Sequence, residues 1–391
     1  MRTAVVWSPE LLDYDFGPAH PMAPLRLEMA LRLAGDLGLL ALTQVELVGA
    51  PPAADDVLRL VHSADYLAAV RRASATGVPD PDHGVGTDDT PVFVGMHEAS
   101  ARIVGASVAQ ALAVWRGEAD HAVNLAGGMH HAMPDHASGF CVYNDPAAAI
   151  AALLAAGARR VAYVDLDAHH GDGVERAFWD DPRVLTVSVH ESGHTLFPGT
   201  GHPGDVGGPA ARGHAVNVAL PAGTADAKWL RAVESVAAPL VRRFAPDVLV
   251  SQHGCDAHAL DPLTNLAVSV DAQARAAALV HDLAHEAAGG RWLALGGGGY
   301  AVARVVPRVW AHVIGVAAHA PVPVETLVPE PWRAHAYRVF GVQTPTTMGD
   351  GATVRVRDWS QGYDPADDVD RAILAARTAA FEWHDLDPLY D

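Results

Sequence analysis

A single α/β domain with a mostly parallel central sheet flanked by helices is the fold this sequence predicts. Short β-branched runs alternate with longer helical patterns over most of the chain, the pattern of strands joined by crossover helices. Several of those runs are apolar at nearly every position, as strands covered on both faces must be. The 391 residues are 50% hydrophobic and 19% charged, which supplies a sizeable core and excludes wholesale disorder.

The first strand is expected at Thr3–Trp7, followed by helices over Pro24–Leu40, Asp55–Ala73 and Gly95–Trp115. A strand at His121–Leu125 precedes a helix at Pro146–Ala156, whose Ala-rich run is too short for a bilayer and reads as a packed helix. Strands follow at Val161–Asp165, Val184–Val189 and Ala215–Leu220, then a helix at Asp226–Phe244. The pattern closes with a strand at Asp247–Gln252, a helix at Asp271–Ala288, a strand at Trp292–Leu295 and a helix at Ala301–Ala317. From Pro321 the chain turns Pro-rich and then polar, with Trp332, Trp359 and Trp383 scattered through it. The division expected is therefore a domain at 1–320 and a C-terminal extension at 321–391, packed on the domain or at an oligomer contact.

Lys and Arg number 27 against 46 Asp and Glu, a formal charge of −19. Such a surface repels phosphate backbones and anionic membranes, so neither nucleic acid nor lipid is an expected partner, whereas basic proteins or peptides are compatible ones. Lys228 is the single lysine. Two cysteines cannot build a disulfide framework, and together with an N-terminal segment lacking a long apolar stretch this predicts a cytoplasmic protein.

Four strands run directly into polar or glycine-rich strings: Gly127-Gly128-Met129-His130-His131, Asp165-Leu166-Asp167-Ala168-His169-His170-Gly171-Asp172, His253-Gly254-Cys255-Asp256, and Gly296–Gly299 followed by Tyr300. In an open parallel sheet all four would face one site beyond the carboxyl ends of the strands. Alternate residues of an extended segment point the same way, so Asp165, Asp167 and His169 share a side. Asp167 and His169, with Asp256 from another strand end, offer three ligands to one metal ion and leave a position for water, as catalytic zinc requires. An alternative use for these aspartates is helix capping or loop holding. Adjacent imidazoles at His130 and His131 suit proton transfer near neutral pH, with Asp165 and Asp172 as orienting carboxylates. The glycine run lacks the Lys-Ser/Thr of a phosphate loop. Presenting the Tyr300 hydroxyl to a developing oxyanion fits it better.

Together these strings resemble the histone deacetylase family, and more closely its bacterial acetoin-utilisation-type branch. The likeness runs from about Val5 to Ala317 and includes His20-Pro21-Met22-Ala23-Pro24-Leu25-Arg26, Gly127–Ala132, Gly139–Asp145, Asp165–Gly173, Phe197–Gly201, Gly254–Asp256 with Asp261-Pro262-Leu263, and Gly296–Tyr300. The resemblance implies the arginase–deacetylase fold and a zinc-dependent hydrolase that removes acetyl or short acyl groups from protein lysines. It makes Asp167, His169 and Asp256 the zinc ligands, His131 the general base, His130 an electrostatic and proton-supplying partner, and Tyr300 the group that polarises the acyl carbonyl. Asp165 and Asp172 stand behind the histidines. Phe140 and Phe197, with Gly139 and Leu263, would wall a tunnel for the acyl-lysine stem, and Asp89 would sit at its rim.

Arg26 matches an arginine of an internal acetate channel, which His20 is expected to help line. A structural potassium ion is implied near Asp165, Asp167, His169, Ser188 and Val189. His253 and His258 depart from the commoner pattern of the family, which puts the rim shape in doubt. Leu263 stands where polyamine deacetylases carry a glutamate, so protein acyl-lysine is favoured over an acetylpolyamine or another small amide. Acetylated proteins or peptides, with an acyl-CoA synthetase as one candidate, are the implied partners, and a homo-oligomer is compatible. The rival readings are a binuclear ureohydrolase and a non-catalytic acyl-lysine binder. Fifteen other histidines, His121, His281, His285 and His319 among them, have no convergent context in the sequence.

Overall fold

A computed structural model describes residues 1–391. Eight strands, β1 (Thr3–Val6), β2 (Val45–Val48), β3 (His121–Asn124), β4 (Val161–Asp165), β5 (Val184–Glu191), β6 (Ala215–Leu220), β7 (Val248–Gln252) and β8 (Trp292–Leu295), form one sheet in the order β2-β1-β3-β8-β7-β4-β5-β6. Every pairing is parallel, and all strands but β2 are almost wholly buried, since helices cover both faces.

Those helices are α1 (Leu25–Asp36), α2 (Asp55–Leu58), α3 (Ala64–Thr76), α4 (Met96–Trp115), α5 (Asp145–Ala155), α6 (Asp172–Ala177), α7 (Asp226–Ala232), α8 (Ala238–Phe244), α9 (Val270–Ala287), α10 (Val306–Ala317), α11 (Glu330–Phe340) and α12 (Asp368–Ala380). Two large apolar clusters, one on either side of the sheet plane, make the core. No helix is long and apolar enough to cross a membrane.

The strands that end in the polar strings, β3, β8, β7 and β4, are consecutive and central in the sheet. Their ends are in step: Asn124 and Gln252 both pair with Leu295, and Asp165 pairs with Gln252 and Ser188. Four loops therefore leave the sheet at one level, side by side.

The structure departs from the sequence expectations at identifiable places. The helix expected over Asp55–Ala73 is broken: α2 stops at Leu58, and Ser63 caps α3 by accepting from the Tyr66 N–H at 3.2 Å. The break lets the buried His62 ring bridge Met133 O (3.0 Å) and Asn144 N–H (2.9 Å). The helix expected over Asp226–Phe244 holds a π-turn at Val233–Ala237 between α7 and α8. Strand β2, missed in the sequence, is a four-residue edge strand paired only to β1, half-exposed and interrupted by Glu46, so it carries little apolar signal.

Residues 321–391 also form structure. The Trp332 indole of α11 donates to Met29 O of α1 at 3.0 Å. Helix α12 lies against the edge strand β6, and its Val369, Ile373, Ala376 and Ala380 enter the larger core cluster. Arg231 of α7 pairs with Asp370 of α12 at 2.7 Å, both side chains almost fully buried.

The fold also corrects one sequence reading outright. His121, His281, His285 and His319 do converge, because α9 and the end of α10 pack against the first residue of β3. Helical spacing and sequence distance hid that meeting.

Candidate functional site

The loops beyond β3, β4, β7 and β8 enclose a cavity of about 270 Å³ lined by seventeen residues, including His130, His131, Asp167, His169, Gly139, Phe140, Phe197, Leu263, Asp89 and Tyr300. Asp167, His169 and Asp256 bring one ligand atom each within 4.8 Å of one another. His169 Nδ1 lies 3.0 Å from both Asp167 Oδ1 and Asp256 Oδ2.

The outward oxygens of the two carboxylates are already held. Asp167 Oδ2 accepts from Gln252 Nε2 (2.7 Å) and the Gly298 N–H (2.9 Å), and Asp256 Oδ1 accepts from the Ala168 N–H (2.9 Å). Each carboxylate thus turns one oxygen inward, oriented as ligating carboxylates are. Burial and the neighbouring Asp167 charge push the Asp256 carboxyl up. A divalent cation would relieve that repulsion. Two carboxylates and one imidazole, all buried, fit zinc with a position left open.

Each histidine of the pair is backed by a carboxylate. His130 Nδ1 donates to Asp165 Oδ2 at 2.8 Å, and Tyr163 donates its hydroxyl to the same oxygen at 2.7 Å. His131 Nδ1 donates to Asp172 Oδ1 at 2.7 Å. The Nε2 atoms are left for the cavity, with the rings 4.0 Å apart. The two environments separate the pair. Burial and the charge of His130 lower His131, outweighing the pull of Asp172. Burial would also lower His130, but the Asp165 and Asp167 carboxylates overcome it and hold His130 up to about 9. A neutral imidazole beside a cationic one is an acid–base couple.

Gly139 adopts φ +54°, and a Cβ there would strike the His131 ring. Phe140 also has positive φ, 65°, a strained conformation for a bulky residue. It is held by the Tyr14 hydroxyl donating to Phe140 O (2.7 Å) and by edge-on contact with Tyr300 (ring centroids 5.8 Å). Phe197 stands across from it, edge-on to His131 at 5.1 Å. Phe197 and Leu263 are 46% and 37% exposed, so the mouth has an apolar rim. Asp89 lies at that rim, where Oδ2 accepts from the Gly139 N–H at 2.7 Å, tying the rim to the wall.

Tyr300 is placed by its own N–H, which donates to Asp261 Oδ2 at 2.7 Å. Burial, with the Asp256 charge behind it, raises its hydroxyl well above the ordinary range, so it remains a donor.

Arg26 lies outside the main cavity. It lines a small void of about 20 Å³ behind it that shares Met22, Met129 and Gly297 with the main cavity. The guanidinium donates to Met22 Sδ and Gly297 O and stacks near Tyr300 and Trp310, 5.4 and 5.0 Å from the ring centres. His20 does not line that void. It packs edge-on against Phe140 at 4.6 Å and contacts Asp89 O, bracing the tunnel wall instead. Ser188 and Val189 lie on β5 beside the end of β4, with Ser188 Oγ bonded to His190 Nδ1 at 2.8 Å.

His253 and His258 do not shape the rim. His253 is buried against Ser251 Oγ (2.7 Å), and His258 Nε2 faces Asp350 at 2.9 Å. His170 is turned to Thr200 and Glu175. With His258 and His170 engaged elsewhere, neither adds to the donor set as a second metal would need. Gln252, Asp261 and Met22 carry no role in the sequence reading, although each lies in or beside a motif; amide, carboxylate and thioether groups that act by orienting others leave no spacing signature.

The comparisons agree with the geometry. Residues 20–317 match the Histone deacetylase domain model. The acetoin utilization protein AcuC of Bacillus subtilis (strain 168) is 43% identical over 317 residues, 80% of this chain and 81% of the relative, and that of Staphylococcus xylosus is 38% identical over 351, covering 89% and 90%. A crystal structure described as an HDAC homolog complexed with SAHA superposes with a TM-score of 0.83 at 27% identity, covering 96% of this chain and all of that one. With this sheet, these loops and these relatives, the chain belongs to the histone deacetylase family, on its acetoin-utilisation branch.

Proposed function

We propose that this chain is a zinc-dependent amidohydrolase that removes acetyl or related short acyl groups from lysine side chains of proteins and releases acetate. The observation that carries the reading is the convergence of Asp167, His169 and Asp256 beside two carboxylate-backed histidines and Tyr300 that line one narrow cavity. Zinc held by those three residues would supply Lewis acidity to the amide carbonyl and acidify a bound water.

The remaining chemistry belongs to the protein. Gly139, Phe140 and Phe197 admit an extended aliphatic stem and exclude bulk water from it. His131, kept neutral by burial beside His130, accepts a proton at Nε2 from the attacking water, and Asp172 fixes the tautomer. The Tyr300 hydroxyl donates to the acyl oxygen as negative charge grows there. The positive charge that Asp165 and Asp167 confer on His130 stabilises the same charge, and the histidine pair returns a proton to the departing amine. Acetate would leave by way of the void at Arg26, whose guanidinium supplies a cationic lining. A potassium ion against Asp165, Asp167, His169, Ser188 and Val189 would steady the loop that carries the zinc ligands.

The exposed Leu263 supports a protein substrate, since a leucine there offers no carboxylate to pair with the far ammonium of a polyamine. Zinc-loaded protein assayed on acyl-lysine peptides, an acetylated acyl-CoA synthetase and acetylated polyamines, with acetate release measured, tests the reading. Turnover of acetyl-lysine that a chelator abolishes is expected. Preference for polyamines would overturn the substrate class, and zinc binding without any turnover would favour a binder.

A further inference from the structure

At the other end of the sheet from the cavity, four imidazoles meet. His121 opens β3, His281 and His285 lie one turn apart on α9, and His319 follows α10. One nitrogen from each falls within 4.8 Å of the others, and the ring centres are 4.6–5.4 Å apart.

The hydrogen bonding turns ring nitrogens toward one another. His121 Nδ1 donates to Ala317 O at 2.7 Å, so its Nε2 is unprotonated, and that atom lies 3.1 Å from His285 Nε2. His281 turns Nδ1 toward Asp282 Oδ1 at 3.3 Å, while its Nε2 is buried with no hydrogen-bond partner. Two of the four imidazoles are backed by a carbonyl or a carboxylate, as metal-ligating histidines are.

We propose that His121, His281, His285 and His319 form a second metal site that takes one zinc ion in an all-imidazole shell. Four nitrogens with no carboxylate do not suit magnesium or calcium. Zinc–nitrogen bonds of about 2.0–2.1 Å put tetrahedral nitrogens about 3.4 Å apart, near the 3.1 Å already present between His121 and His285. The rings of His281 and His285 are partly buried and that of His319 is exposed, and small ring rotations would close the remainder. With every position filled by protein, the ion takes no substrate. It ties β3, α9 and the end of α10 together, as structural zinc does.

Zinc titration of chelator-stripped full-length protein tests this by a readout other than turnover. Two equivalents per chain are expected for the wild type, and one for His281→Gln/His319→Gln, whose turnover of acetyl-lysine peptide is retained. One equivalent is also expected for Asp167→Asn/Asp256→Asn, and cobalt(II) bound to that variant should show the intense visible bands of a tetrahedral site. The single variant His319→Gln, at an exposed position, should weaken the second equivalent at least tenfold. If wild type and His281→Gln/His319→Gln bind the same number of ions, or His319→Gln leaves the second affinity unchanged, no site exists there.

Discussion

Tyr300 and the two histidines show how much a single side chain contributes here. The Tyr300 hydroxyl is kept protonated by burial and aimed by the Asp261 bond to its backbone. If Tyr300 is the proposed oxyanion donor, Tyr300→Phe should lower kcat about 10²–10³-fold, with an unchanged thermal transition. Circular dichroism and peptide turnover together check it. Asp172→Asn keeps the shape but frees the His131 ring to take the wrong tautomer. The expected loss is on the order of 10²–10⁴ in kcat with little change in KM, and an unaltered kcat would remove His131 from the role of base. Gly139→Ala must both strain φ and strike His131, so it should lose turnover while zinc binding persists.

Elements are fastened to one another by buried charges, and two of these fasteners involve the C-terminal residues. Asp350 accepts from His258, the Val270 N–H and Arg308. Burial alone would raise its carboxyl, but those bonds and the Arg308 charge hold it well below the usual carboxylate range. Its contribution is therefore complete above the unfolded value of about 3.9 and fades as pH falls below it. Asp350→Asn should cost roughly 1–3 kcal/mol at pH 7, and the gap to wild type should narrow below about pH 4 in denaturant titrations. The Arg231–Asp370 pair joins α7 to α12 out of water. Asp370→Ala leaves Arg231 without its counter-charge and should cost roughly 3–5 kcal/mol, read as a lowered urea midpoint.

On the scale of the whole molecule, residues 321–391 share the core of the sheet domain. Trp332 anchors to Met29, Arg377 donates to Ser235 O, and α12 shields the edge strand β6. A chain ending at residue 320 would expose the apolar surface that Val369, Ile373 and Phe381 now cover. Such a chain should be largely insoluble, and soluble yield against full length measures it. A truncated chain that stayed soluble with an unchanged Tm would mean that the extension is dispensable for folding.

What the sequence determined by itself was the parallel α/β plan and most of the residues that line the candidate cavity. Apolar strand runs report burial on both faces, and strings such as Asp165–Gly173 and Gly296–Tyr300 hold their reactive groups within a few residues of a strand end. Parallel strands in step then carry those strings to one place. The tertiary structure alone decided the rest. It set the break between α2 and α3, the π-turn after α7, the turn of His253 and His258 away from the rim, and the use of Gln252 and Asp261 as orienting groups. Above all it decided the meeting of His121, His281, His285 and His319 across almost two hundred residues. Groups that meet only through packing between faces carry no periodicity and no local spacing, so only the folded chain discloses them.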